Sequence, residues 1–201
     1  MTHRRFVSVF GSARVVPGDR EYDEAVEVGR VIAEAGLGVA TGGYTGVMEA
    51  ACRGAAKAGG HTIGATVEEW RGRTPNEWVR EVRSGDDLFD RLRILVAEPV
   101  AMVAVAGGVG TLAEVALGWN LMQRASRVGD PLRPLVLMGP RWREMSVIFE
   151  DQLIDGPGDR DLVTLVDDPE GVATHLNGRL EEVSRVDPDR QQRRRLRSVS
   201  R

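Results

Sequence analysis

The 201-residue chain has one cysteine, three histidines and a single lysine, and each scarcity removes a class of chemistry. Cys52 alone excludes an internal disulfide. With His3, His61 and His175 scattered through the sequence it offers no zinc-ligand spacing, so no metal site is expected. Lys57 is the one lysine among 27 basic residues, which leaves Schiff-base chemistry a single candidate. A pyridoxal phosphate enzyme needs that amine at its cofactor. Lys57 falls near the far end of a helix expected to open at Gly46, about 16 Å from the ligand end at a helical rise of about 1.5 Å per residue. It reads as a surface residue, and no cofactor is expected. Long apolar runs are missing as well. The longest, Val100 to Ala106, has seven residues, against the roughly 20 that span a bilayer. The start, MTHRRFVSVFGS, lacks a signal-peptide pattern. A cytoplasmic protein without membrane contact is expected.

What is present describes a folded domain. Hydrophobic residues make up 42% and charged residues 28%, with a formal net charge of -3, a balance that supports a packed core. Residues 1–189 read as one domain and 190–201 as a basic, solvated tail with six arginines and no acid. So short a basic tail gives only weak, salt-sensitive association with nucleic acid, which is not expected as a partner. Glycine is abundant at 24 residues, and it falls in doublets after apolar runs, where strand-to-helix turns belong.

Apolar runs at Arg5–Phe10, Leu37–Thr41, His61–Thr66, Val100–Ala106, Leu135–Met138 and Leu162–Val166 read as strands. Between them lie helical spacings: Tyr22, Ala25, Val28 and Ile32 within Asp19–Ala35, and Met48, Ala51, Ala55 and Ala58 within Val47–Ala58. Strand–helix alternation of this kind implies right-handed crossovers and a parallel sheet covered on both faces, a doubly wound, Rossmann-like α/β fold. The one long interruption, Glu68–Gly85, reads as a loop over the strand ends.

In such a fold ligands bind outside the carboxyl ends of the strands, where strand order reverses. Three glycine turns are candidates for that edge: Gly11-Ser12, the run Thr41-Gly42-Gly43-Tyr44-Thr45-Gly46, and Gly107-Gly108-Val109-Gly110-Thr111. A Gly-Gly turn opening a helix brings unpaired N–H groups and the positive end of the helix dipole to one unobstructed spot, suited to a phosphate. Thr111 adds a hydroxyl, and Glu114 places a carboxylate beside the anion. An acid there also serves as a plain partner of the helix dipole, and spacing alone does not separate the two roles. The stretch Gly108 to Ala113 matches the loose G-x-G-x-x-A dinucleotide pattern, yet it follows about the fourth strand and no acid for a ribose diol ends the next one. On Asp86–Ala97 the stripe Leu88, Phe89, Leu92, Leu95 and Val96 leaves Arg91 at one edge and Arg93 at the other, and periodicity does not choose between them.

Taken together, GSAR after the first strand, TGGYTGVMEAA, the arginine in DLFDRLR and AGGVGTLAEV resemble the LOG ("Lonely Guy") family of cytokinin-activating phosphoribohydrolases and its wider Rossmann-like group. The resemblance spans roughly residues 5–140 and is most specific in the last motif. It implies a homodimer that hydrolyses the N-glycosidic bond of an AMP-like nucleoside 5′-monophosphate, releasing free base and ribose 5-phosphate. It assigns catalysis to Glu114 and Arg91, and substrate binding to Gly107, Gly108, Gly110 and Thr111, with Gly11, Ser12, Gly42 and Gly43 on the other two turns. Three positions depart from the family pattern: Ala106 stands for its proline, Leu92 for its lysine, and Glu49, where it can face the ligand, for its glycine. These departures motivate a second reading, a non-catalytic carrier of a nucleotide or phosphorylated cofactor on the same fold. Trp70, Trp78 and Trp119 are the natural anchors for a subunit interface.

Overall fold

A computed structural model describes residues 5–70, 72–152, 156 and 158–185; the basic tail expected at 190–201 lies outside them. Seven parallel strands, β1 (Phe6–Phe10), β2 (Gly38–Thr41), β3 (Thr62–Val67), β4 (Glu81–Gly85), β5 (Ala101–Ala104), β6 (Leu135–Met138) and β7 (Val163–Val166), form one sheet. Their order is β4-β3-β2-β1-β5-β6-β7, so the winding reverses between β1 and β5. The doubly wound, Rossmann-like α/β expectation is met. No helix of the described residues is long and apolar enough to cross a membrane.

The helices divide by face, as right-handed crossovers require. Helices α1 (Arg20–Glu34), α2 (Val47–Lys57) and α6 (Pro169–Arg185) bury Tyr22, Ile32, Ala51 and Leu176 against Val7, Val9, Val39 and Val103. On the other face lie α3 (Leu88–Leu92) with the π-helical turn Arg93–Ala97 that continues it, α4 (Val109–Val128) and α5 (Pro140–Gln152). They bury Leu95, Val115, Met122 and Trp142 against Phe6, Phe10, Ile63 and Leu137. Alternate residues of β1 thus feed opposite cores, the period-2 consequence of strand geometry.

Three local expectations are corrected. The interruption Glu68–Gly85 is a loop only to residue 80; Glu81–Gly85 is the edge strand β4, hydrogen-bonded to β3. Its charged residues are paired along the edge, Glu81 with His61 at 2.7 Å and with Arg83 at 2.7 Å, and Arg83 with Glu98 at 3.1 Å. Charge on an edge discourages further strand pairing, and it also hides the strand from a hydrophobicity reading. In α2 the buried face is Val47, Ala50, Ala51, Gly54 and Ala55, while Ala58 is exposed and Met48 half-buried. On α3 the expected apolar stripe fails: Phe89 is 74% exposed, and Arg91 is the buried residue of that helix.

None of the three tryptophans expected as interface anchors is fully exposed. Trp119 is half-buried and donates its indole N–H to the Asp159 carbonyl at 2.9 Å. Trp78 lies under the Lys57 amine, 5.9 Å from the ring centre, which also places the single lysine on the surface. Trp70 packs within the candidate site.

Candidate functional site

Reversal of winding leaves the carboxyl ends of β1 and β5 without a helix between them, and the three glycine turns meet there. Ser12 N–H donates to the Ala106 carbonyl at 3.0 Å, which ties the turn after β1 to the turn after β5. Val47 N–H donates to the Ser12 carbonyl at 2.9 Å and Thr45 Oγ1 to the Ala13 carbonyl at 3.0 Å, adding the turn before α2. Glycine is required where these chains touch. At Gly46, φ is 72° and a Cβ would stand 2.2 Å from the Ser12 carbonyl oxygen. At Gly11 it would meet Val47 and Val105 side chains at 2.6 and 2.7 Å.

At the start of α4 no side chain caps the helix, so its first N–H groups have no side-chain partner. Gly108 and Gly110 face open space: a Cβ at either would meet nothing within 4 Å. Gly107, in contrast, is packed against Thr111, whose hydroxyl oxygen would lie 2.3 Å from an added Cβ. The result is an uncapped, unobstructed helix N-terminus with the positive end of its dipole exposed, an arrangement suited to an anionic group.

Glu114 projects from the second turn of that helix, its side chain 12% exposed. Across from it lies Arg91, 9% exposed, with Nη1 at 3.6 Å from Glu114 Oε1. That distance is an ion pair too long for a direct hydrogen bond. Arg91 is instead fixed from behind, its Nε donating to the Ala65 carbonyl at the end of β3 at 2.9 Å. Gly42 makes room for its head: a Cβ there would lie 1.9 Å from Nη2. Burial drives the Glu114 carboxyl up to about 7, with the Arg91 charge pulling the other way. Burial also lowers the proton affinity of Arg91, partly offset by Glu114, and a guanidinium remains protonated throughout. Near neutral pH the site therefore holds one fixed cation beside a carboxyl group poised between its two forms.

The loop Glu68–Arg80 folds over these turns. Asn76 pins it, donating from Nδ2 to the Gly43 and Tyr44 carbonyls at 3.0 and 2.7 Å and from its own N–H to Gly43 at 2.8 Å. The Trp70 ring faces Tyr44 with centroids 6.0 Å apart, and the Arg91 guanidinium carbon lies 5.3 Å from the Trp70 ring centre. Arg73 lies over both rings, at 5.1 Å from Trp70 and 5.6 Å from Tyr44.

The fold thus brings Arg91, Glu114, Gly11, Ser12, Gly42, Gly43, Gly107, Gly108, Gly110 and Thr111 to one end of the sheet. Arg93, the competitor of Arg91, is exposed and paired with Asp90 at 2.8 Å. Glu49 is turned to the Tyr22 hydroxyl, which donates to it at 3.0 Å. Sequence reasoning placed Tyr44 within a candidate turn and the following loop over the strand ends, but did not single out Tyr44, Trp70, Arg73 or Asn76 as neighbours of the site. The signal lay in the interruption itself, where tryptophan and arginine recur in a segment that contributes to neither core.

Comparison with known proteins places the chain and its fold among relatives. The family described as SLOG cluster4 matches residues 4–130. An uncharacterized protein of Archaeoglobus fulgidus is 32% identical over 124 residues, which are 61% of this chain and 78% of that one. Among solved structures, the molybdenum cofactor carrier protein of Chlamydomonas reinhardtii superposes with a TM-score of 0.69 at 26% identity, covering 89% of this chain and 99% of the other. The molybdenum cofactor binding protein of Rippkaea orientalis superposes with a TM-score of 0.70 at 23% identity, covering 89% and 98%.

Proposed function

The chain belongs to the SLOG cluster4 family, and from that membership and the site geometry we propose that it binds a nucleoside 5′-monophosphate and hydrolyses its N-glycosidic bond. Water adds to the anomeric carbon, the carbon–nitrogen bond breaks, and the base leaves with a proton, giving free base and ribose 5-phosphate. The 5′-phosphate docks on the uncapped N–H groups of Val109, Gly110 and Thr111, with Gly108 leaving the approach open and Gly107 allowing the turn to pack on Thr111. Gly11, Ser12, Gly42 and Gly43 line the approach. The ionised Glu114 carboxylate stabilises positive charge on the sugar, as in other glycosidic cleavages, takes the proton of the attacking water and passes it to the departing base, which regenerates the carboxylate. Arg91 holds substrate oxygens with its fork of donors.

One observation carries this reading: a buried carboxyl group 3.6 Å from a buried guanidinium, on the same helix as an open anion site. A purely structural acid at a helix start would be solvated, and this one is not. The test is to incubate the purified protein with purine 5′-monophosphates and assay free base. Release from the monophosphate but not from the unphosphorylated nucleoside is expected, with a loss of about 10² to 10⁴ on Glu114→Gln. Absence of base from every nucleotide, or release undiminished by Glu114→Gln, overturns the reading.

Likeness to the Chlamydomonas carrier favours a second reading, a carrier of a phosphorylated cofactor at the same turn. It is supported if a nucleotide or pterin phosphate raises the Tm and survives incubation unchanged. In either case a homodimer fits the apolar residues left exposed on α4, Val109, Leu117 and Val128.

A further inference from the structure

Trp70 lies at the candidate site, outside the packed layers of the fold. It belongs to neither core, and the loop that carries it is anchored elsewhere, by Asn76 on the turn after β2 and by Arg80 N–H on the Thr62 hydroxyl at 3.0 Å. The indole is nevertheless covered. Arg91 and Arg73 each bring a guanidinium carbon within 5.3 Å of its ring centre, and Tyr44 flanks it. Arg73 is exposed and makes no ion pair with another described residue; its guanidinium lies over the Trp70 and Tyr44 rings. Two like charges share one indole while the nearest paired carboxyl, Glu114, is only partly ionised near neutral pH. A flat, delocalised cation on an exposed aromatic face is held only weakly, and the charge of Arg91 on the same indole works against a second one.

From these contacts we propose that Trp70, flanked by Tyr44, is the stacking platform for a planar heteroaromatic ring on the phosphorylated ligand, and that the Arg73 guanidinium occupies that face until the ring arrives. The inference rests on the reading above for the phosphate end and adds the chemistry of the other end. Arg91 touches both Trp70 and Glu114, so a ligand anchored at the start of α4 and passing Arg91 meets the indole next. A purine of a nucleotide and a pterin of a cofactor share the required ring chemistry. Arg73, displaced from the indole, is free to pair with the ligand's negative charge.

The test compares AMP, neopterin 3′-phosphate and ribose 5-phosphate by titration calorimetry on the full chain, in the Glu114→Gln form so that the ligand survives. Stacking on an aromatic side chain corresponds to about 5- to 150-fold in affinity, so a ring-bearing phosphate binds tighter than ribose 5-phosphate by that factor. Trp70→Ala removes that advantage and leaves the ribose 5-phosphate Kd within about twofold, the internal check that the phosphate end is intact. Trp70→Phe keeps most of the advantage, and Arg73→Ala leaves the ratio equal or larger. A preference for AMP assigns a nucleotide to the platform and a preference for the pterin phosphate a cofactor. Equal binding, or no binding, of ringed and ringless phosphates overturns the proposal, as does a Trp70→Ala loss that falls equally on ribose 5-phosphate. Ring discrimination without base release from the unsubstituted chain sinks the hydrolase and spares the platform; base release with a ratio of one does the reverse.

Discussion

A carboxyl group that loses its proton near pH 7, as Glu114 does, changes state within the range where the protein is assayed. Catalysis by the ionised form predicts that kcat/KM for a nucleotide rises with pH through about 7 and then levels, since that parameter reports the free protein. A profile falling through the same pH would assign Glu114 the role of proton donor instead. Stability runs the opposite way. The folded chain keeps a proton on Glu114 that the unfolded chain loses near its ordinary 4.5, so stability falls as pH rises from about 4.5 to 7 and the loss is complete above it. With the side chain 12% exposed, the displacement corresponds to about 3 kcal/mol. Urea unfolding of Glu114→Gln and the parent at pH 4 and pH 8 should show the difference between them moving by up to that amount in favour of the glutamine at pH 8. Gly42 tests the partner. A methyl there occupies the position of Arg91 Nη2, 1.9 Å away, and the guanidinium has to leave. Since the displaced atoms end a long side chain, Gly42→Ala should fold close to normally while kcat/KM drops by on the order of 10², the usual consequence of misplacing a positioning group by about 1 Å.

Among the elements, three helical glycines predict opposite signs for one substitution. In α1 and α2, Cβ atoms on Gly29 and Gly54 would stand 2.0 Å from the Ala51 carbonyl oxygen and 1.8 Å from that of Val26. The two helices are in backbone contact, and neither carbonyl can move without shifting its helix. Gly54→Ala therefore costs about 1 to 3 kcal/mol by overpacking, more than the roughly 1 kcal/mol that alanine gains in a helix interior. At Gly110 the space is open, so Gly110→Ala should raise the Tm slightly while its methyl group weakens phosphate binding; thermal unfolding with and without ribose 5-phosphate measures both effects. These elements also show what was legible in the sequence. The strands flanking the switch point are continuous apolar runs because both faces are buried, and β1, β2, β5 and β6 read accordingly. Glu81–Gly85 did not, since an edge strand carries ion pairs in place of apolar residues. The phase of α3 was misread for a different reason. Its successor at Arg93–Ala97 is a π-helical turn, which breaks the 3.6-residue period and turns Arg91 inward while Leu88 and Phe89 face out. The motif around Gly107–Glu114 is legible as a glycine turn with an acid in the following helix, whereas Trp70 and Arg73 reach the same end of the sheet through a fold-back that no local pattern encodes.

On the scale of the molecule, the two helical layers differ in what they expose. Large apolar side chains left in solvent lie mainly on the layer of α3, α4 and α5: Leu88 and Phe89 on α3, Val109, Leu117 and Val128 on α4, and Val147 and Ile148 on α5. Among the described residues α1, α2 and α6 expose none of comparable size. Helix α4 is apolar on both sides, with Val115 and Met122 turned to the sheet and Leu117 and Val128 away from it, and a helix of that composition is normally covered twice. A second copy of the chain, apposed through α4 by a two-fold axis, would cover the outer side with the same patch from each subunit. Sedimentation velocity should then give twice the 22.0 kDa chain mass. A charge at the middle of the outer face, Leu117→Glu, should return the mass to that of one chain, with helix content unchanged by circular dichroism. Because Glu114 and the proposed anion turn lie on the helix that would form this interface, loss of the partner should loosen the start of α4. The monomeric variant is expected to bind ribose 5-phosphate more weakly than the parent. A parent chain that sediments as a monomer at all concentrations would leave those apolar residues as ordinary surface and remove the coupling.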